Sequence, residues 1–196
     1  MKTTSIRVER QTSETTVRVD LELRGNRRLE VGTGIGFLDH LLSALAFHAG
    51  WDLRLSCDGD LQVDDHHTAE DCALALGEAV DSLLGDRGGI RRFGSAHAPL
   101  DESLARAVVD LAGRPWPEIH LGLTRERLGG LSAENVGHVL TSFAMRARCA
   151  LHVDLLRGTN DHHRAEAAFK ATALALRQAL EPMDLQGPPS TKGSLE

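Results

Sequence analysis

HHTAED, residues 66–71, returns as HHRAEA, residues 162–167, and the reading of the whole chain turns on that repetition. Ten histidines in 196 residues leave little room for two HHxxE sequences by chance. Imidazole and carboxylate together suit Mn, Fe, Co, Ni or Zn. A Glu three or four residues after a His shares its face of a helix, so Glu70 stands beside His66 or His67, and Glu166 beside His162 or His163. Neighbouring helical residues point about 100° apart. One pair therefore chelates one ion poorly, and each pair is expected to serve two ions. The plainer reading is two helix N-termini carrying exposed polar residues, which explains one copy better than two.

Composition sets the frame. With 41% hydrophobic and 26% charged residues and a net charge of −6, the chain reads as an ordinary globular protein. It has no polybasic run for nucleic acid or an anionic membrane. Cys57, Cys72 and Cys149 form no CxxC and leave an odd thiol, which points to a reducing compartment. No apolar h-region follows Met1-Lys2 and no run approaches the length of a membrane span, so a cytoplasmic location is expected.

Outward from the motif, the chain divides in two. Residues 3–10 and 14–24 alternate apolar and polar side chains, the mark of a half-buried hairpin. FLDHLLSALAFHAG (37–50) carries Leu38, Leu41, Leu42, Leu45 and Ala46 on one helix face, DLRLSCDG (52–59) reads as a strand, and a helix over about 69–84 follows, capped by Asp65 or Thr68. The glycines at 32, 34 and 36 lack the spacing of a nucleotide loop. The second half repeats this order. Glu14–Gly25 matches Glu102–Gly113 at a shift of 88, the helix of His40 matches that of His138 at 98, and the HHxxE pair sits at 96. Gene duplication is the economical reading. The expected fold is α+β: two half-domains, 1–90 and 91–186, each a mixed or antiparallel sheet with helices on one face. Residues 187–196 form a Gly/Pro/Ser-rich tail.

Duplication extends the ligand set, because His40 and His138 precede their pairs by 26 and 24 residues. Eight candidates result: His40, His66, His67, Glu70, His138, His162, His163 and Glu166. They divide into two quasi-equivalent sites of three His and one Glu, with positions open for water or substrate. Asp39, Asp64, Asp65 and Asp161 are placed either to accept a second ring N–H or to serve as caps and solvated acids. Lys170, four residues after Glu166, has Leu74 as its counterpart; it is either an ordinary helical ion pair or part of an anion clamp with Arg92, Arg114, Ser190 and Lys192.

FLDHLL (37–42), DDHHTAEDCALALGEA (64–79), IRRFG (90–94), APLDE (98–102), DLAGRP (110–115), DHHRAEAAFKA (161–171) and PSTKG (189–193) together resemble the imidazoleglycerol-phosphate dehydratase family of histidine biosynthesis. The resemblance runs over essentially the whole chain. It implies paired half-domains like domain 2 of ribosomal protein S5, with the eight ligands holding two manganese ions per subunit. Glu14 falls on the acid/base glutamate, Arg92, Arg114, Lys170, Ser190 and Lys192 on phosphate-binding positions, and His48 in a substrate-contacting segment. Thr191 stands where the family usually has Ser, and the stretch Ser95–His97 is too variable to carry a role. The implied reaction removes water from D-erythro-imidazole-glycerol phosphate, a small phosphate ester, to give imidazole-acetol phosphate. The implied assembly is a homo-oligomer of twenty-four subunits with metals at subunit contacts. A dinuclear phosphohydrolase is the other enzymatic reading, and it would favour a bridging carboxylate. A metal-storing assembly needs neither Glu14 nor the cations.

Overall fold

Two four-stranded sheets, each with two helices laid on one face, meet through those helices. The computed structural model describes residues 4–184, 187 and 190; Lys192 and Thr191 lie outside them. The first half runs β1 (Ser5–Gln11), β2 (Thr15–Glu22), β3 (Leu29–Gly32), α1 (Gly36–Ala49), β4 (Asp52–Gly59) and α2 (His66–Leu84). The second runs β5 (Phe93–Leu100), β6 (Ser103–Asp110), β7 (Trp116–His120), a small hairpin β8 (Arg127–Leu128) and β9 (Leu131–Ser132), α3 (Ala133–Arg146), β10 (Ala150–Arg157) and α4 (Asp161–Ala179). The strand orders are β1-β2-β4-β3 and β5-β6-β10-β7, so the topology repeats strand for strand.

Period-2 patterning builds the sheets. Val17, Val19 and Leu21 of β2 are buried while Arg18 is exposed, each apolar side chain contributing roughly 1.5–3 kcal/mol. The β1–β2 hairpin expected from the alternation pairs Ser5 with Glu22 and Gln11 with Thr16. β3 and β7 run parallel to β4 and β10, and a parallel pair needs a crossover, supplied here by α1 and α3. Neither strand is announced by the sequence: Leu29–Gly32 is four residues long with no fully buried position. The helix expected from about residue 69 begins at His66. Asp64, not Asp65 or Thr68, accepts the His66 amide at 2.8 Å, which draws both histidines into the first turn.

The halves share one apolar core running from Val8 to Leu180, with Trp51 and Phe169 fully buried in it. α1 packs on α4 and α2 on α3. The second seam closes over Gly77, where a Cβ would lie 2.7 Å from the Phe143 carbonyl and 2.9 Å from Arg146 Cβ. Gly94 likewise lets β5 lie against the Ala175 carbonyl of α4. The three cysteines are free thiols, Cys72 and Cys149 buried. Among the described residues no helix is long and apolar enough to cross a membrane. Gly77→Ala is expected to lower stability by roughly 1–3 kcal/mol, the usual cost of overpacking a closed seam; an unchanged denaturant midpoint would show that α3 yields freely.

Candidate metal centre and active site

The site is assembled where the chain between Leu121 and Ser132 gathers the starts of the helices. Asp65 and Asp161 are repeat equivalents at a shift of 96, each directly before its HH pair, and both are buried. Asp65 accepts from the Ser132 amide at 2.6 Å, the Ser132 hydroxyl at 2.8 Å and Asn135 Nδ2 at 3.0 Å. Asp161 accepts from the Thr124 amide at 2.7 Å, the Arg125 amide at 2.7 Å and Arg164 at 2.8 Å. Burial works to raise both carboxyls, but these donors outweigh it and hold each at about 2. Two duplicated acids thus grip opposite ends of one connecting segment. The tip of the hairpin at Gly129 and Gly130 lies beside Phe37 of α1 and Ile35 just before it. Asp39 accepts from the Thr33 amide at 2.7 Å and fixes the turn into α1.

Held this way, the first histidine of each pair faces the other half across a helix seam. His40 of α1 meets His162 and Glu166 of α4, and His138 of α3 meets His66 and Glu70 of α2; within each trio the ligand atoms all lie within 4.8 Å of one another. His40 Nε2 is 2.9 Å from Glu166 Oε2, and His138 Nε2 is 3.0 Å from Glu70 Oε1. Each trio offers two imidazole nitrogens and one carboxylate oxygen, a donor set that fits a first-row transition metal. The rings of His66 and His138 stack with centroids 4.8 Å apart. Glu166 is further tied to Lys170 at 2.6 Å; burial would raise its carboxyl, while Lys170 and His40 bring it down to about 2.

The second histidine of each pair turns away from its trio. His67 Nδ1 donates to Asp60 at 3.0 Å, and His163 Nδ1 donates to Glu102 at 2.8 Å. Those hydrogen bonds are the leading reason that both imidazoles titrate above their ordinary value. A third ring is fixed in the same sense: Asn135 gives its amide to Asp65, so its oxygen accepts from His66 Nδ1 at 3.0 Å. Three rings thus carry a proton on Nδ1 and keep Nε2 for another partner, the arrangement ligating histidines adopt. Glu14 lies beside His67, its Oε1 3.7 Å from Nε2.

The family model for imidazoleglycerol-phosphate dehydratase matches residues 33–176. The Candida glabrata imidazoleglycerol-phosphate dehydratase is 52% identical over 206 residues, covering 96% of this chain and 98% of that protein. The Phytophthora nicotianae relative is 57% identical over 188 residues; it is a longer protein, of which the chain spans 42%. The crystal structure of the Staphylococcus aureus enzyme superposes with a TM-score of 0.81 at 32% identity, covering 91% of this chain and 99% of that one.

The chain belongs to the imidazoleglycerol-phosphate dehydratase family. Among the described residues, the cations expected at the phosphate fall in separate places. Lys170 stays with the His40 trio, and half-buried His48, whose imidazole is pushed down by burial and then by Lys170, lies on the same side. Arg92 sits elsewhere: its amide donates to the Ala179 carbonyl at the C-terminal end of α4, and its guanidinium grips Asp110 at 2.6 and 2.9 Å. Exposed Arg114 follows β6 at that same end. Asp110 and Ser103 are seven residues apart on β6, roughly 23 Å of strand, so these arginines and Glu102 occupy opposite ends of the second sheet. Ser190 is half-buried.

Several participants escape a reading of the sequence. Asp60 and Asn135 have no repeat partner of their own kind, so nothing marks them before the chain folds. Glu102 does carry a signal, since it repeats Glu14 at a shift of 88. Asp39, Asp64, Asp65 and Asp161 hold backbone and side-chain donors and touch no imidazole directly; Asp65 reaches His66 only through Asn135. The folded values of Asp65 and Asp161 are depressed from 3.8 to about 2, so the stability they contribute is present above the higher value and lost as pH falls through the lower. Asp161→Asn is expected to lower the denaturation midpoint at neutral pH, with the difference from wild type shrinking toward about pH 2. A difference constant across that range would place the effect outside this carboxylate.

Proposed function

We propose that the chain is a metal-dependent dehydratase that converts D-erythro-imidazole-glycerol phosphate to imidazole-acetol phosphate and water in L-histidine biosynthesis, with two Mn2+ ions per subunit. The observation that carries this reading is the pair of repeat-related His-His-Glu trios, each built across the seam between halves. Bound ions would supply Lewis acidity at the two nitrogens of the substrate's imidazole, making the ring able to hold the electron density left when a carbon-bound proton departs.

The chain's own groups fit the remaining work. Each trio has its own glutamate, which suits two separated ions better than a bridged pair. Glu14 is half-exposed with no hydrogen bond from His67, whose Nδ1 is held by Asp60. That leaves its carboxyl available to protonate the departing hydroxyl or to carry the carbon proton. Lys170 beside Glu166, with Arg92, Arg114, Ser190 and Lys192, is assigned to the phosphate, and His48 to the substrate wall. Binding energy at the phosphate holds the ring in register with the acid.

One chain does not complete this arrangement. His67 and His163 keep Nε2 outside the trios, 3.7 Å from Glu14 and 3.8 Å from Asp101, and Arg92 and Arg114 lie at the far end of the sheet. We assign their missing partners to neighbouring copies, with four protein ligands per ion and metals at subunit contacts in a particle of twenty-four. Binding of ions to the assembled state alone stabilises it by mass action. Chelation at neutral pH is accordingly expected to shrink the particle and added Mn2+ to restore both size and activity, as read by sedimentation. A particle of unchanged mass with empty sites would confine the ions to chemistry.

The direct test of function is Mn2+-loaded protein with imidazole-glycerol phosphate, product identified by mass: loss of one water supports the dehydratase, and free inorganic phosphate overturns it. Glu14→Gln is expected to retain both ions and substrate affinity while kcat falls roughly a hundredfold or more, the size of a lost general acid or base. An unchanged kcat in that variant would assign the proton transfer elsewhere.

A further inference from the structure

Glu14 and Glu102 descend from one position, at a shift of 88, yet their surroundings differ. Glu102 is saturated. Its Oε1 accepts from the Asn160 amide at 2.9 Å, the Thr159 amide at 3.1 Å and the Ser103 hydroxyl at 3.1 Å, while Oε2 accepts from His163 Nδ1 at 2.8 Å. A carboxylate so engaged is a poor proton carrier, because protonating it breaks several bonds at once. Glu14 stands 3.7 Å from His67 Nε2 and does not occupy Nδ1.

The difference traces to one residue. Asp60 follows Gly59 at the end of β4 and takes His67 Nδ1; at the same place after β10, Thr159 follows Gly158. Thr159 has no carboxylate to give His163, and its hydroxyl lies 3.5 Å from Glu102 Oε1. The ring in the second half is held at Nδ1 by the glutamate itself, while Asp101 Oδ2 stands 3.8 Å from Nε2, much as Glu14 stands 3.7 Å from His67 Nε2.

We propose that Glu102 is a positioning residue that directs His163 Nε2 toward a metal ion, in the part Asp60 plays for His67, and that Asp60 thereby frees Glu14 for proton transfer. This rests on the reading of His163 as a metal ligand. Losing such a partner to a ligating imidazole commonly weakens metal affinity roughly 10–100-fold.

The experiment measures Mn2+ binding to the assembled protein by the free-ion spin-resonance signal, with circular dichroism as the folding control. Wild type is compared with Glu102→Ala, Glu102→Gln, Glu14→Gln and the double variant Glu102→Ala/Thr159→Asp. In Glu102→Ala one of the two ions is expected to bind roughly 10–100-fold more weakly, the other as in wild type. Glu102→Gln has one oxygen where His163 Nδ1 and the amides of residues 159 and 160 need two, so its affinity is expected to fall between wild type and Glu102→Ala. The double variant recovers it by copying the Asp60 arrangement, and Glu14→Gln binds both ions normally. Wild-type affinity in Glu102→Ala, or an equal loss in Glu14→Gln, overturns the inference. So does a double variant no better than Glu102→Ala, which would place the effect in the loop and not in the imidazole. Wild-type protein that binds no Mn2+ overturns the metal reading itself, a failure distinct from these.

Discussion

Two residues adjacent in a helix point about 100° apart, and that angle governs where each histidine pair can send its rings. In α2 and α4 it divides the pair: His66 and His162 face inward to the opposite half, His67 and His163 outward to an acid. The inward ring joins a histidine one helix away and a glutamate one turn on. The outward ring is left with one nitrogen tied and one presented. A chain obeying this geometry builds two His-His-Glu trios internally and keeps the second ring of each pair out of them, which is the ground on which assembly enters the proposed chemistry.

For the inward rings to meet their partners, α1 must lie on α4 and α2 on α3 in a fixed register. Apolar packing supplies the contact and, at tight points such as Gly77, part of the register. The carboxylates of Asp65 and Asp161 supply more of it, because each is buried and satisfied only when particular amides of the 121–132 segment reach it. Buried charges of this kind add little net stability, yet they penalise every misregistered alternative that leaves them unpaired. The ligand spacing is in this sense set in part by two groups that touch no ligand directly.

That logic also marks how much could be read before folding. Periodicity announces β1, β2, β4 and the helices, because each has one face in the core, and repetition at shifts of 88, 96 and 98 announces the duplicated α+β plan. The residues of the two trios are legible for the same reason, since a pattern that occurs twice leaves two traces. β3 and β7 are not: short, half-buried parallel strands depend on a crossover that local patterning does not show. Nor are Asp60 and Asn135, whose roles arise from residues 7 and 69 positions away and have no repeat to point to them. The separation of Arg92 and Arg114, at one end of the second sheet, from Lys170 beside the His40 trio is likewise a property of topology, invisible in a linear list of cations.

Where the repeats diverge is where the two halves stopped doing the same thing. Phe37 in α1 corresponds to Asn135 in α3; the first presses its ring on His162 with centroids 5.0 Å apart, the second accepts a hydrogen bond from His66 Nδ1. Lys170 neutralises Glu166, while its counterpart Leu74 offers Glu70 no charge. One trio is therefore flanked by a cation and an aromatic ring, the other by hydrogen-bonding groups that lead back to Asp65. In the proposed function, the symmetric pair of trios would serve the nearly symmetric part of the substrate, its two ring nitrogens. The phosphate and the departing hydroxyl break that symmetry, and a duplicated protein can match them only by letting equivalent positions drift apart. Glu14 against Glu102, Asp60 against Thr159 and Lys170 against Leu74 are three such departures, and they lie around the trios and the outward rings, while the eight His and Glu positions themselves have stayed alike.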